Sequence, residues 1–329
     1  VCARVSPKPE NVSRMFTMSR LLVVAGKGGV GKTTVTAAMA RAAADTGLRV
    51  LVVTLDSRPG MAALLGDSSG AAIGYEGLRI ANDLGSRATG LIHLRTITAE
   101  EALEDYLATQ GMARLAKRLV ATGVVGVVSS AAPGIDDLLV LGKLKHLVSL
   151  TGPTGDYDLI LVDGPAAGHA ISFLQAPSAM AETVRGGPIR SQAIEVQSML
   201  KDPDRCRVVM VTLAETTPVN EMLQSAEILA NKVGVDFTPV VVNGVDIAPD
   251  VSELVASGRL VDGDLADAAR YRASRCALHA REVDRVDRTV HAGHISLPHI
   301  PTAGLDGADI GRLADVIREQ VTREQMESQ

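Results

Sequence analysis

The chain contains no tryptophan, three phenylalanines and four tyrosines, so aromatic residues make up only 2% of its 329 positions. Single-stranded nucleic acid is gripped by aromatic stacking and duplexes by a basic stripe. With few aromatics and a net charge of -5 the chain has little of either, and nucleic acid is not an expected partner. Its three cysteines, Cys2, Cys206 and Cys276, lie far apart with no paired spacing, which excludes a disulfide framework and a complete CxxC metal site. A reducing, cytoplasmic location is the expectation. Long apolar runs are also lacking: the longest near the middle, Leu119 to Ser130, is too short and too glycine-rich to cross a bilayer, so no stable membrane insertion is expected. Residues 1–17 lack the apolar centre of a signal peptide and read as a disordered extension, with Met18 a plausible natural start.

What is present begins with "LLVVAGKGGVGKTT" at 21–34, where Gly26, Gly31, Lys32 and Thr33 fill the phosphate-loop pattern G-x-x-x-x-G-K-S/T directly after an apolar run. The alanine-rich segment Thr34 to Ala44, closed by Gly47, reads as the helix that must follow. The nucleotide-binding set is therefore Gly26, Gly28, Gly29, Val30, Gly31, Lys32, Thr33 and Thr34. Backbone N–H groups from Gly28 to Lys32 would then cradle the β- and γ-phosphates at the helix N-terminus, and the Thr33 hydroxyl would sit on Mg²⁺. One lysine suffices for that pattern, so Lys27 needs a separate reason.

Apolar, β-branched runs recur at 49–55, 90–96, 157–163, 207–213 and 238–244, with helical patterns between them. Continuous runs of this kind imply an α/β fold with a mostly parallel, doubly wound sheet covered on both faces. Residues of about 98–150 break the rhythm: helical patterns follow one another without a strand and converge on "APGIDDLLVLGKLKHLVSL". They read as a helical subdomain inserted in a phosphate-loop domain of 18–329.

Two carboxylates close apolar runs. Asp163 ends "LILVD" and is placed to support Mg²⁺, through water, opposite the loop; the glycine-rich "GPAAGH" beyond it suggests mobility. Asp56 ends "VVTLD" and would lie near the γ-phosphate if its strand neighbours the first, orienting the attacking water. Either could be a capping Asp at a strand-to-helix turn.

With Lys27 at its second position, "GKGGVGKTT" resembles the deviant phosphate loop of the chromosome-partitioning, septum-positioning, nitrogenase iron-protein and arsenite-pump ATPases. "PGIDDLL" at 133–139, "DGPAAGHAISFLQAP" at 163–177, "VVVNG" at 240–244 and "LPHIPTAGLDG" at 297–307 narrow the resemblance. Together they are similar to the arsenite-pump and tail-anchored-protein-targeting ATPases, most of all to their actinobacterial anion-transporting-ATPase-like members. The resemblance implies that Lys27 reaches a partner subunit's nucleotide, Asp56 is the first switch carboxylate, Asp163 to His169 is the second switch, Asn243 reads adenine, and the loop at Pro301 covers the base. It also implies a homodimer, or a heterodimer with a paralogue, that couples ATP-driven closure to a client or partner protein.

The chain departs from that family in three places. The first switch usually reads Asp-Pro-Ala-His, but here Asp56 is followed by Ser57, Arg58 and Pro59. "ASRC" puts Ala273 where the zinc-clasping CxxC has its first cysteine, so a four-sulfur site cannot be completed and structural zinc is not expected. Only about thirty residues separate Pro177 from Arg207, room for one helix and not for a large client-binding lid. His279, His291, His294 and His299 crowd near the C-terminus without helical metal-site spacing, and read as loop and surface residues. The apolar content of 119–148 could form a client surface, but packing of the helical subdomain on its own core explains it more simply. Leu313, Val316, Ile317 and Val321 in the last helix suit a core-facing stripe. The expected protein is a Mg²⁺-dependent ATPase switch. The rivals are an energising subunit of an anion pump, and an interaction module that binds ATP with little turnover.

Overall fold

A computed structural model describes residues 15–56, 60–67, 69–70, 73–80, 90–109, 111, 134–246, 257 and 263–327. Ser57, Arg58, Pro59, Pro133, most of the expected 1–17 extension and the run from Leu119 to Ser130 lie outside them. Among the described residues the strands are β1 (Leu21–Gly26), β2 (Arg49–Thr54), β3 (Leu78–Ile80), β4 (Leu91–Thr96), β5 (Leu159–Ala166), β6 (Cys206–Leu213), β7 (Asp236–Phe237), β8 (Val240–Val245) and β9 (His294–Pro298). The helices are α1 (Lys32–Asp45), α2 (Gly60–Leu64), α3 (Ala99–Thr109), α4 (Ile135–Ser149), α5 (Ala167–Thr183), α6 (Pro188–Lys201), α7 (Thr216–Lys232), α8 (Asp264–Thr289) and α9 (Gly307–Glu327).

The strands form one sheet in the order β3-β4-β2-β5-β1-β6-β8-β9, with β7 paired to β6. Every pairing is parallel except that of β3 with β4. The apolar runs explain this: β1 is buried at all six positions, as a strand covered on both faces must be. Alternate residues feed opposite cores. Leu21, Val23, Val53, Val162 and Val208 pack with α4, α5, α6 and α7, whereas Leu22, Val24, Val52, Leu161 and Val209 pack with α1, α2 and α9.

Several expectations shift. β1 and β2 are not neighbours, because β5 lies between them, so Asp56 stands one strand removed from the loop strand. Asp163 does not end its strand, since β5 continues to Ala166. The "GPAAGH" stretch is the end of β5 and the start of α5, and an added Cβ at Gly164 would stand 2.3 Å from the Val24 carbonyl oxygen. That glycine serves a close approach of β5 to β1 and not mobility. "FLQAP" lies inside α5, which continues through Pro177 to Thr183, and only α6 then stands before β6. Met15 and Phe16, within the segment read as an extension, are buried in the core with α1. In α4, Leu138, Leu141, Leu144 and Val148 join the same core as one face of the sheet. In α9, Leu313 and Ile317 are buried and Val316 and Val321 pack beside them.

Candidate functional site

The loop between β1 and α1 is shaped by two close approaches. At Gly26 a Cβ would meet the Val211 carbonyl oxygen of β6 at 2.4 Å. At Gly31, where φ is 86°, it would meet Asn243 Nδ2 at 2.3 Å, so only glycine fits on both counts. Asn243, near the end of β8, donates from Nδ2 to the Val30 carbonyl at 3.0 Å and braces the loop from below. Gly29 also has positive φ, 88°, whereas a Cβ on Gly28 would meet nothing within 4 Å. Val30 is buried beneath the loop, and Gly28 and Gly29 are exposed on top of it.

α1 starts immediately after Gly31 with no side-chain cap and no acidic residue in its first turn. Its first N–H groups therefore point to the loop as an anion-binding end. Lys32 donates from Nζ to the Lys27 carbonyl at 3.2 Å. Burial pulls the pKa of Lys32 below the usual lysine range, against the opposing pull of Asp163. One helical turn brings Thr33 and Thr36 to one face. Thr33 donates to Asp163 Oδ2 at 2.7 Å, and Thr36 reaches Asp163 Oδ1 at 3.4 Å while also donating to the Lys32 carbonyl at 2.9 Å. Thr34 is half-buried in the same turn.

Asp163 sits in register between Thr54 of β2 and Val24 of β1. Its carboxyl lies above the ordinary range chiefly because it is buried; Asp56 adds to the rise, while Thr33, Lys32 and Thr36 oppose it. Asp56 itself is exposed, two residues beyond β2, and bears on Asp163 through its charge. Beyond it, Leu55, Ile97, Asp137, His169 and Phe173 border a cavity of about 480 Å³ between the two expected switches. Burial, and then Asp136, raise the Asp137 pKa, and His169 opposes the rise.

Lys27 points away from the loop and pairs with Glu221 of α7, Nζ to Oε1 at 2.6 Å. Neither Glu221 nor Thr36 is among the site residues expected from the sequence. Thr36 had a usable signal, its helical spacing from Thr33; Glu221 had none, being 194 residues from its partner. Pro301 lies exposed between β9 and α9, and the neighbouring His299 N–H donates to the Val245 carbonyl at 2.8 Å, which ties that loop to the β8 end carrying Asn243. Of the four C-terminal histidines, His279 is buried and accepts the Asp246 N–H at 3.0 Å, and His294 contacts Asp287. Among the described residues no three His, Cys, Asp or Glu side chains form a metal-binding group. No helix there is long and apolar enough to cross a membrane.

A family model described as anion-transporting ATPase matches residues 19–187, just over half of the chain. ATPase BagA of Mycobacterium tuberculosis is 34% identical over 216 residues, which are 64% of this chain and 61% of that protein. The arsenical pump-driving ATPase of Acidiphilium multivorum is 28% identical over 240 residues, 68% of this chain and 39% of its own. ATPase get3 of Aspergillus terreus is 25% identical over 290 residues, 76% of this chain and 79% of its own. The alignment thus spans less than two thirds of the mycobacterial relative and well under half of the pump-driving one.

Proposed function

Because this chain belongs to the anion-transporting ATPase family, we propose that it hydrolyses ATP at the β1–α1 loop as a cytoplasmic, dimeric switch whose closure governs a client or partner protein. The observation that carries this reading is the meeting of three parts: the uncapped α1 N-terminus, Lys32 beside it, and the Thr33–Asp163 contact of 2.7 Å. The loop amides and Lys32 would bind the phosphates and stabilise the charge that develops on them. Asn243 has a second amide hydrogen and an oxygen with which to meet the adenine edge, and the loop at Pro301, tied to the same strand, would cover the base. Asp56 would orient the attacking water.

The donors at Thr33 and Asp163 are a hydroxyl and a carboxylate, hard oxygen ligands of the kind Mg²⁺ selects. Thr33 would hold the ion directly and Asp163 through water; the ion, when bound, would neutralise phosphate charge. Thr33, 2.7 Å from Oδ2, is the donor that orients the Asp163 carboxylate; Thr36 approaches Oδ1 only at 3.4 Å while donating to the Lys32 carbonyl.

Partner binding is supported by a cavity of about 820 Å³ between α3, α4 and α6, lined by apolar residues such as Leu103, Leu107, Leu139 and Ile189. The anion-pump alternative needs soft ligands. The Cys206 thiol is fully buried and pushed up to about 12, which keeps it protonated and unsuited to that role. The test of the site is Lys32→Ala, expected to lower ATP turnover by about a hundredfold or more with the fold intact by circular dichroism. Near-parental turnover would overturn the assignment.

A further inference from the structure

Lys27 is not loose. Its ammonium donates to Glu221 Oε1 at 2.6 Å, and the pair is half exposed, at 48% and 38% of the two side chains. Glu221 Oε2 is sealed from solvent and accepts no hydrogen bond among the described residues, so within them Lys27 is the carboxylate's one donor. We propose that Glu221 is a positioning residue that holds Lys27 against its own subunit, so that delivery of Lys27 to a partner's nucleotide must break this ion pair. The proposal rests on the reading of Lys27 as a residue that acts across the dimer.

Both ends of the latch are anchored by contacts of their own, and the lysine side chain spans the gap between them. At one end the Lys27 carbonyl is held by Lys32 Nζ, 3.2 Å away, and β1 is paired with β6, Ala25 opposite Met210. At the other end the first turns of α7 are pinned to α8. Thr216 donates to Glu282 Oε1 at 2.9 Å, Arg285 bonds Asn220, and the Glu282 carboxylate is itself buried at 2% exposure and paired with Arg285. Glu221 therefore stands fixed beside the loop, within reach of Lys27 in an isolated subunit.

Charge decides when the latch opens. A single carboxylate competes for Lys27 with the several charges of a triphosphate, and the triphosphate wins when it is presented at the dimer face. A partner without nucleotide offers no such replacement, and opening would leave Glu221 without its donor. The pair thus opposes every closure, and only a partner's triphosphate supplies a replacement that outweighs it. A half-exposed ion pair is a weak restraint, which sets the effect at a few-fold rather than orders of magnitude.

The test compares the parent with Glu221→Gln, which keeps shape and removes charge, and with Glu227→Gln, which removes one charge from an exposed residue of the same helix. In nucleotide-free protein, competitive acetylation read by mass spectrometry should label Lys27 about two- to fivefold faster in Glu221→Gln, with exposed Lys232 as the internal reference. In sedimentation runs with ATP, the protein concentration at half-association should fall by a similar few-fold in Glu221→Gln and stay put in Glu227→Gln. Unchanged Lys27 labelling overturns the latch, as does faster labelling without a shift in association. Equal shifts in both variants overturn it too, by reducing the effect to net charge. Failure of the trans reading looks different: a parent that stays monomeric with ATP, or that recovers no activity when Lys27→Ala and Asp56→Asn subunits are mixed, while Lys27 labelling still responds to Glu221.

Discussion

Gly28 and Gly31 stand in one loop, yet the fold asks different things of them. At Gly31 a methyl group would run into Asn243 and would have to adopt φ of 86°, two penalties of about 1–3 kcal/mol between them. At Gly28 a methyl group would meet nothing within 4 Å and the backbone is not in the left-handed region. The glycine there serves the approach of phosphates to the loop. Gly31→Ala should therefore lower the melting temperature by several degrees without nucleotide, whereas Gly28→Ala should leave it within about a degree and weaken ATP binding about tenfold or more. Thermal melts beside nucleotide titrations separate the two, and a matching loss of stability in both variants would mean that the loop needs Gly28 to fold. Residues such as these were legible because their spacing is local. Glu221 was not, because only the pairing of β6 with β1 brings it to Lys27.

At the scale of elements, the long apolar strands were readable from composition, but their ends were not. β5 runs past Asp163 to Ala166 because pairing with β1 resumes there, Gly26 opposite Ala166, after a register shift beyond Val24, whereas pairing with β2 ends at Asp163. β3, β7 and β9 are two to five residues long, too short for a pattern to stand out. Helices α3 and α4 were legible by periodicity, but the polar network joining them to the sheet was not. Asp105 of α3 bonds Lys143 of α4 and accepts the Tyr75 hydroxyl at 2.9 Å, and the Arg95 guanidinium stacks on Tyr75 at 4.3 Å. Burial pushes the Asp105 carboxyl up, but the bonds from Lys143 and Tyr75 outweigh it and hold it below the usual carboxylate range. A depressed folded-state pKa contributes stability that is present above the unfolded value, about 3.9, and is lost as pH falls through the folded one. Asp105→Asn should thus melt below the parent at pH 7, with the gap closing as the pH is taken down toward 3. A gap of constant size across that range would show that the contact acts by shape and not by charge.

For the whole molecule, the strand order settles what sequence spacing left open. β5 between β1 and β2 puts Asp163 beside the loop and Asp56 one strand further out, an arrangement in which both carboxylates belong to the same subunit as Lys32. Lys27, turned away from its own loop toward α7, is the one proposed site residue whose place suggests work elsewhere. That separation makes a mixing experiment decisive. Lys27→Ala and Asp56→Asn subunits are each expected to be nearly inactive alone. In a mixed dimer, the site on the Lys27→Ala subunit keeps its own Asp56 and receives an intact Lys27 from its neighbour, so one site of two is whole. Random exchange makes about half the dimers mixed, and activity should return to about a quarter of the parental level if the sites act independently. A lysine serving its own subunit predicts no recovery, because the Lys27→Ala site then lacks its lysine and the other lacks its Asp56. Sedimentation of Lys27→Ala with ATP must show that it still pairs, since a subunit that cannot close would give the same silence for a different reason.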